Sequence, residues 1–226
     1  MLRKMPDNRF IREFEEKMSQ STVEHLGTSI AEYDHSQPES SEPLRILWSA
    51  RWEHDKNPED FFAAIDMLNK TDTPFELAVI GQSFRDVPEI FAAAKEKYSD
   101  RIKFWGHISD PSEYAKVLSW ADVFVSTAMH EFFGLGCVES ALAGGYPILP
   151  QRLAYPELFR ADIGENKRDF FYDGSPKMLA KRLEKLAKAK KNGCIWNGSP
   201  QRVKDMLKRF LWENRAPKLD DKIECL

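Results

Sequence analysis

Cysteine is scarce in this sequence. Cys137, Cys194 and Cys225 are the three of that type among 226 residues, too few and too scattered for a disulfide framework or a zinc cluster. Their number is compatible with a reducing compartment. Long apolar runs are missing too: none approaches the roughly 18–20 residues that span a bilayer. Met1-Leu2-Arg3-Lys4-Met5-Pro6 lacks the apolar core of a secretory signal. Nor is there an excess of one charge. Lys and Arg number 33 against 36 Asp and Glu, a formal net charge of −3, so composition alone does not point to nucleic acid. These absences favour a cytoplasmic protein, with the nucleus as the alternative, and no membrane contact. What is present, 42% hydrophobic and 31% charged residues, suffices for one domain of ordinary size with room for an appendage.

Residues 8–20 have helical spacing, with Phe10, Ile11, Phe14 and Met18 on one face, and residues 34–43 form a polar linker with two prolines and three serines. From Leu44 the pattern becomes strand, helix, strand. Apolar runs at Leu44–Ala50, Phe75–Gly81, Arg101–Gly106, Asp122–Ser126 and Tyr146–Pro150 read as buried strands, with Asp169–Tyr172 as a last edge strand. Between them lie helices: one capped by Asn57-Pro58 and running through Phe61–Leu68, then Val87–Tyr98, Ser112–Ala121 and Cys137–Gly144. Pro176–Lys191, striped by Leu179, Leu183 and Leu186, and a helix from about Pro200 to Glu213 close the chain. This alternation predicts a Rossmann-like α/β domain over 44–215, a parallel sheet with helices on both faces, and a tail at 216–226. Ligands of such sheets bind beyond the carboxyl ends of the strands.

Glycine is absent from one decisive place. A dinucleotide-binding domain carries Gly-x-Gly-x-x-Gly after its first strand, whereas this chain has Arg51-Trp52-Glu53-His54-Asp55-Lys56. An oxidoreductase reading therefore loses most of its support. The turn offers two cations instead, Arg51 and Lys56. They are either solvated charges beside Glu53 and Asp55 or a phosphate clamp.

The stretch from His130 to Glu139 favours the clamp. It turns from a buried strand into a small-residue helix through Gly134 and Gly136. A helix start offers free N–H groups and a positive dipole end to phosphate, and glycine lets a ligand approach the backbone. Glu131 precedes the helix and Glu139 lies in its second turn, so the two address different parts of one ligand. Glu139 sits among Cys137, Val138, Ala141 and Leu142, where a charge is costly unless a ribose diol or an internal Arg hydrogen-bonds it. Phosphate flanked by hydroxyls outlines a nucleotide sugar.

Arg51 and Lys56 followed by Glu131-Phe132-Phe133-Gly134 and Glu139 resemble the signature of retaining GT-B glycosyltransferases. The string Arg51 to Pro58, His130 to Gly134, Gly145-Tyr146-Pro147 and Tyr155-Pro156-Glu157 resemble, more narrowly, the tRNA-queuosine α-mannosyltransferases; the likeness covers residues 44–160 well and the rest loosely. The resemblance implies the carboxy-terminal, donor-binding domain of a GT-B fold. Arg51 and Lys56 would bind the donor diphosphate and stabilise the leaving charge, and Glu131 would contact the donor sugar. Backbone N–H groups near Phe133, Gly134 and Leu135 would complete the cradle, and Glu139 would hold the ribose. It implies no metal and no cofactor, GDP-mannose as donor and the queuosine base of a tRNA as acceptor. A non-catalytic nucleotide- or tRNA-binding module is the alternative.

GT-B enzymes place an acceptor-binding domain before this one, yet only about 40 residues precede the first strand. Residues 1–43 are thus expected to be the remnant of that domain, with the other half absent or supplied by a partner chain, and transfer by this chain alone is expected to be poor. His107 and His130 are candidate acids or bases on site-side loops. Between Lys177 and Arg209 eleven basic residues, including Lys188, Lys190 and Lys191, face only Glu184 and Asp205. They form either solvated helix faces or a tRNA phosphate surface.

Overall fold

The computed structural model describes residues 11–29, 43–159, 170–196 and 199–224. Among these, six short apolar runs form one parallel sheet: Leu44–Ser49 (β1), Phe75–Ile80 (β2), Ile102–Gly106 (β3), Val123–Val125 (β4), Tyr146–Pro150 (β5) and Phe171–Tyr172 (β6). Their order across the sheet is β3-β2-β1-β4-β5-β6. That is the doubly wound order, with its reversal point between β1 and β4. β4 and β5 are buried along their whole length, which is why they read as unbroken apolar runs without alternation.

The helices are Ile11–Gln20 (α1), Pro58–Asn69 (α2), Ile90–Lys97 (α3), Pro111–Trp120 (α4), Leu135–Ala143 (α5), Tyr155–Leu158 (α6), Pro176–Lys191 (α7), Gln201–Leu207 (α8) and Trp212–Glu224 (α9). Three of them start on a local signal, a polar cap followed by proline. Asn57 accepts the Asp60 N–H, Asp110 accepts those of Ser112 and Glu113, and Ser175 accepts that of Met178. α2 packs on α7, and α5 on α8 and α4. An aromatic cluster fills the space beside β1: Trp52 stacks on Phe91 at 4.2 Å, with Trp48, Phe61, Phe62 and Trp105 around them. Phe104 packs edge-on against Trp120 at 5.4 Å.

Several expectations change. The helix expected from Val87 begins at Ile90, after Pro88. The second closing helix is two, α8 and α9, joined by a 3-10 turn at Lys208–Phe210, and the tail expected over 216–226 is helical as far as Glu224. Pro217 lies inside α9, a residue that ordinarily argues for an end. Lys190, grouped with the solvated lysines, is buried: its Nζ lies 2.6 Å from Asp122 Oδ2 and donates to the Pro43 carbonyl at 2.8 Å. It falls four residues after Leu186 and seven after Leu183, on the inward stripe of α7.

The linker expected at 34–43 lies outside the described residues except for Pro43, as do Phe10 and Cys225. On α1, Phe14 and Met18 are exposed. The segment after it returns to the domain. Thr28 N–H donates to Phe210 O at 2.8 Å, Trp212 N–H donates to Thr28 O at 3.0 Å, and Arg215 donates to the His25 carbonyl and to Glu24.

Candidate active site

The loops after β1 and β4, on either side of the reversal point, are bonded to each other. Asp55 O accepts the N–H groups of Met129 and His130, and Thr127 Oγ1 donates to Lys56 O at 2.8 Å while accepting from Trp48 Nε1 at 3.1 Å. Arg152, which the sequence did not single out, donates to the carbonyls of Thr127 and Ala128 and braces the same loop. A 3-10 turn at His54–Lys56 thereby brings Lys56 beneath the loop. Its side chain is 9% exposed, and Nζ donates to His130 O at 2.6 Å and to Glu131 Oε2 at 3.3 Å, with Asp55 Oδ2 at 3.6 Å.

Glu131 uses its other oxygen on its own loop, accepting the N–H groups of Phe132 at 3.1 Å and Phe133 at 3.4 Å. The Phe133 amide, expected in a phosphate cradle, is thus engaged by Glu131. Gly134 caps α5 at φ +92°, and a Cβ there would come within 2.9 Å of the Tyr155 ring. Tyr155 is fixed in turn by a 2.6 Å hydrogen bond with Ser126 Oγ, and burial holds its phenol far above the usual range, so it is a neutral hydroxyl. Lys56, Glu131, Gly134, Gly136, Ser126 and Tyr155 line a cavity of about 30 Å³, room for roughly one water.

Arg51 does not join this wall. Its guanidinium is 51% exposed, with Nη1 2.7 Å from Glu53 Oε2 and Nη2 3.9 Å from Asp55 Oδ2. An exposed pair of this kind is worth about 0–1 kcal/mol, so a phosphate can recruit Arg51 at low cost. Phe133 is buried against Phe210, whereas Phe132 is 99% exposed.

A second cavity, about 260 Å³, lies beyond the ends of β2 and β3 and is lined by Ser49, Gly81, Gln82, His107, Ile108 and Tyr114. Ser49 borders both cavities. Glu139 belongs to neither wall. Its Oε1 accepts from Thr28 Oγ1 at 2.7 Å and its Oε2 from Tyr114 Oη at 2.8 Å. Hydroxyls of the protein, rather than the internal Arg considered from sequence, therefore compensate this carboxylate. Thr28 gave no signal in the sequence because it lies 111 residues from its partner in an unpatterned segment. His107 reaches the second cavity, while His130 is exposed and contributes its carbonyl to Lys56. Among the described residues no three His, Cys, Asp or Glu side chains form a set that could hold a metal ion.

Residues 29–197 match the family model for glycosyl transferases group 1. A tRNA-queuosine alpha-mannosyltransferase of Drosophila melanogaster is 38% identical over 116 residues, 51% of this chain and 30% of the relative, so the match spans less than a third of that protein. Among solved structures, sucrose-phosphate synthase from Thermosynechococcus elongatus superposes with a TM-score of 0.66 at 19% identity, over 83% of this chain and 46% of that one. A lipopolysaccharide outer core galactosyltransferase in its apo form does so at 0.64 and 17%, over 93% and 59%. These two likenesses concern the fold, the Rossmann-like sheet of GT-B enzymes. The family match extends over more than half of the chain, through the last strand and α7, and the protein belongs to the group 1 glycosyl transferases.

Proposed function

We propose that this chain is the donor-binding half of a retaining mannosyltransferase that takes GDP-mannose as donor and the queuosine base of tRNA as acceptor. The mannosyl and queuosine assignments follow the similarity to the Drosophila relative and the motif strings quoted above. The observation that carries the donor reading is the line of groups across the reversal point of the sheet. Ser49 borders both the cavity that ends at Tyr114 and the one lined by Lys56, Glu131, Gly134 and Gly136, and Glu139 on α5 accepts from Tyr114.

In this reading the base enters the larger cavity between Gln82 and His107, and Glu139 accepts the ribose hydroxyls. The diphosphate meets the start of α5, where unpaired N–H groups and the helix dipole favour negative charge. Lys56, with Arg51 swung in from Glu53, opposes the charge that develops on the leaving phosphate. Glu131 accepts hydroxyls of the sugar. The acceptor attacks from the face the nucleotide leaves, and the departing phosphate oxygen takes the acceptor proton, which retains configuration. Lys56 is surrounded by Glu131 and Asp55, so donor entry requires these side chains to part from it. That closed arrangement favours a second reading, a nucleotide-binding module without transfer.

Acceptor contacts are proposed on α7. Its exposed lysines run from Lys177, just beyond the end of β6, to Lys191 at the opposite edge of the sheet, about 21 Å away at 1.5 Å per residue. Lys177 and Lys181 are therefore the ones placed to meet a tRNA whose base enters the site. The work of such an enzyme belongs in the cytoplasm or nucleus, with its substrate.

The test is transfer of label from GDP-mannose to queuosine-containing tRNA by the full chain, with Lys56→Ala and Glu131→Ala as controls. Label on tRNA that both substitutions abolish supports the enzyme. Because this half alone is expected to transfer slowly, weak label counts for the enzyme when both variants lose it. Saturable GDP binding with label no higher than in the variants favours the binding module, and tighter binding of UDP than GDP rejects the donor.

A further inference from the structure

We infer that residues 24–28 form a strap that occupies the hydroxyl-binding carboxylate of the site, so that a nucleotide must displace Thr28 in order to bind. The inference rests on the reading of Glu139 as the acceptor for ribose hydroxyls. A ribose presents two adjacent hydroxyl donors to a carboxylate. In this structure two protein hydroxyls stand in that chemical role, one on each oxygen: Thr28 Oγ1 on Oε1 at 2.7 Å and Tyr114 Oη on Oε2 at 2.8 Å. Gly136, three residues before Glu139 on α5, lines the smaller cavity, and Tyr114 lines the larger. Glu139 lines neither, although it lies between residues that do. Thr28 is 4% exposed, so its hydroxyl is enclosed rather than resting on the surface.

The strap rests on a small aromatic seat. Gly27, against the Trp212 ring, and Thr28 are buried and the His25 ring packs on Phe133 and Phe210 at 5.7 and 5.5 Å, whereas Val23 and Leu26 are exposed and add no buried apolar area. Its anchors are an isolated backbone bridge, Thr28 to Leu211, the His25 ring on Phe133 and Phe210, the half-buried Arg215 with Glu24 and the His25 carbonyl, and exposed pairs of Lys222 with Glu24 and His25 with Glu157. The exposed pairs contribute little, and one backbone bridge in place of a ladder lets the strap open more readily than the sheet. A ligand that brings two hydroxyls to Glu139 and a diphosphate to α5 competes with Thr28 for the same oxygen and has further interactions in its favour.

Two substitutions loosen the strap without touching Glu139. Thr28→Val keeps the shape and removes the donor. In Gly27→Ala the new Cβ would come within 2.4 Å of the Trp212 ring, so the strap and Trp212 cannot keep their present contact. Calorimetric titration of the full chain with GDP is expected to show tighter binding in both variants, by about tenfold for a hydrogen bond to a charged group. Hydrogen exchange at the Thr28 amide, bonded to Phe210 O in this structure, is expected to quicken when the wild type is saturated with GDP. Weaker binding by Thr28→Val, or unchanged exchange at saturation, overturns the strap and makes Thr28 a residue that orients Glu139. Equal binding by all three proteins, with Glu139→Gln weaker, overturns the strap while the donor reading stands. No binding by any of them at millimolar GDP overturns both.

Discussion

Replacing Lys190 with methionine removes one member of an ion pair whose side chains are 3% and 1% exposed. Lys190 Nζ sits 2.6 Å from Asp122 Oδ2, and the same oxygen accepts the Arg45 N–H at 2.8 Å. Burial nevertheless holds the Asp122 carboxyl above the usual carboxylate range, outweighing both partners. Without Lys190 an uncompensated buried carboxylate remains, which costs about 3–5 kcal/mol. That is a large share of the ~5–15 kcal/mol by which domains are stable. Urea unfolding followed by tryptophan fluorescence measures the loss. The double variant Lys190→Met/Asp122→Asn removes both charges and should recover most of it. The pH dependence has a definite sign. In Lys190→Met the folded-state pKa of Asp122 lies above its unfolded value, so the deficit is full at neutral pH and shrinks as pH falls through that raised value. A loss below about 1 kcal/mol in the single variant, against the 3–5 kcal/mol expected, would refute the argument. The result also bears on the proposed tRNA contact: charge reversal at Lys190 would act through stability, whereas Lys177 and Lys181 are exposed and test the contact itself.

Charge reversal at Lys177 and Lys181 should weaken tRNA binding and flatten its salt dependence, by a slope of roughly 0.9 for each duplex phosphate that the chain no longer neutralises. Unchanged binding at low salt would remove α7 from the interface. Gly134→Ala should cost about 1–2 kcal/mol for the left-handed backbone and a further ~1–3 kcal/mol for crowding Tyr155. Thermal melting reads that loss, and an unaltered midpoint would mean that the α5 start accommodates a side chain. Glu139→Gln should weaken GDP binding by about tenfold and leave pyrophosphate binding unchanged. An equal loss for both ligands would place Glu139 outside the ribose site.

The parts of the fold set by local chemistry were legible in the sequence. Asn57-Pro58, Asp110-Pro111 and Ser175-Pro176 start helices because cap and proline act within one turn, and the apolar strands follow from burial on both faces. Glu131 ahead of α5 and Glu139 in its second turn could be placed from the glycine turn alone. What escaped the sequence depends on contacts between distant residues. Lys190 looks like its neighbours on α7, and only its step from Leu183 and Leu186 turns it toward Asp122. Arg51 and Glu53 are equally compatible with a phosphate clamp and with each other, and the structure pairs them. The strap had no periodicity to betray it, since its one buried hydroxyl meets a carboxylate across 111 residues. Pro217 hides the length of α9, because proline is a breaker by rule, whereas it lies within the helix here.

In the proposed reading the carboxyl edge of β1 and β4 holds a nucleoside diphosphate against Lys56 and α5. Calorimetric titration of the full chain with GDP, in the wild type, Gly27→Ala and Lys56→Ala, tests it most directly. Saturable binding by the wild type, tighter binding by Gly27→Ala and a severe loss in Lys56→Ala are expected. Absence of saturable binding by both the wild type and Gly27→Ala at millimolar GDP, or undiminished binding by Lys56→Ala, would contradict it.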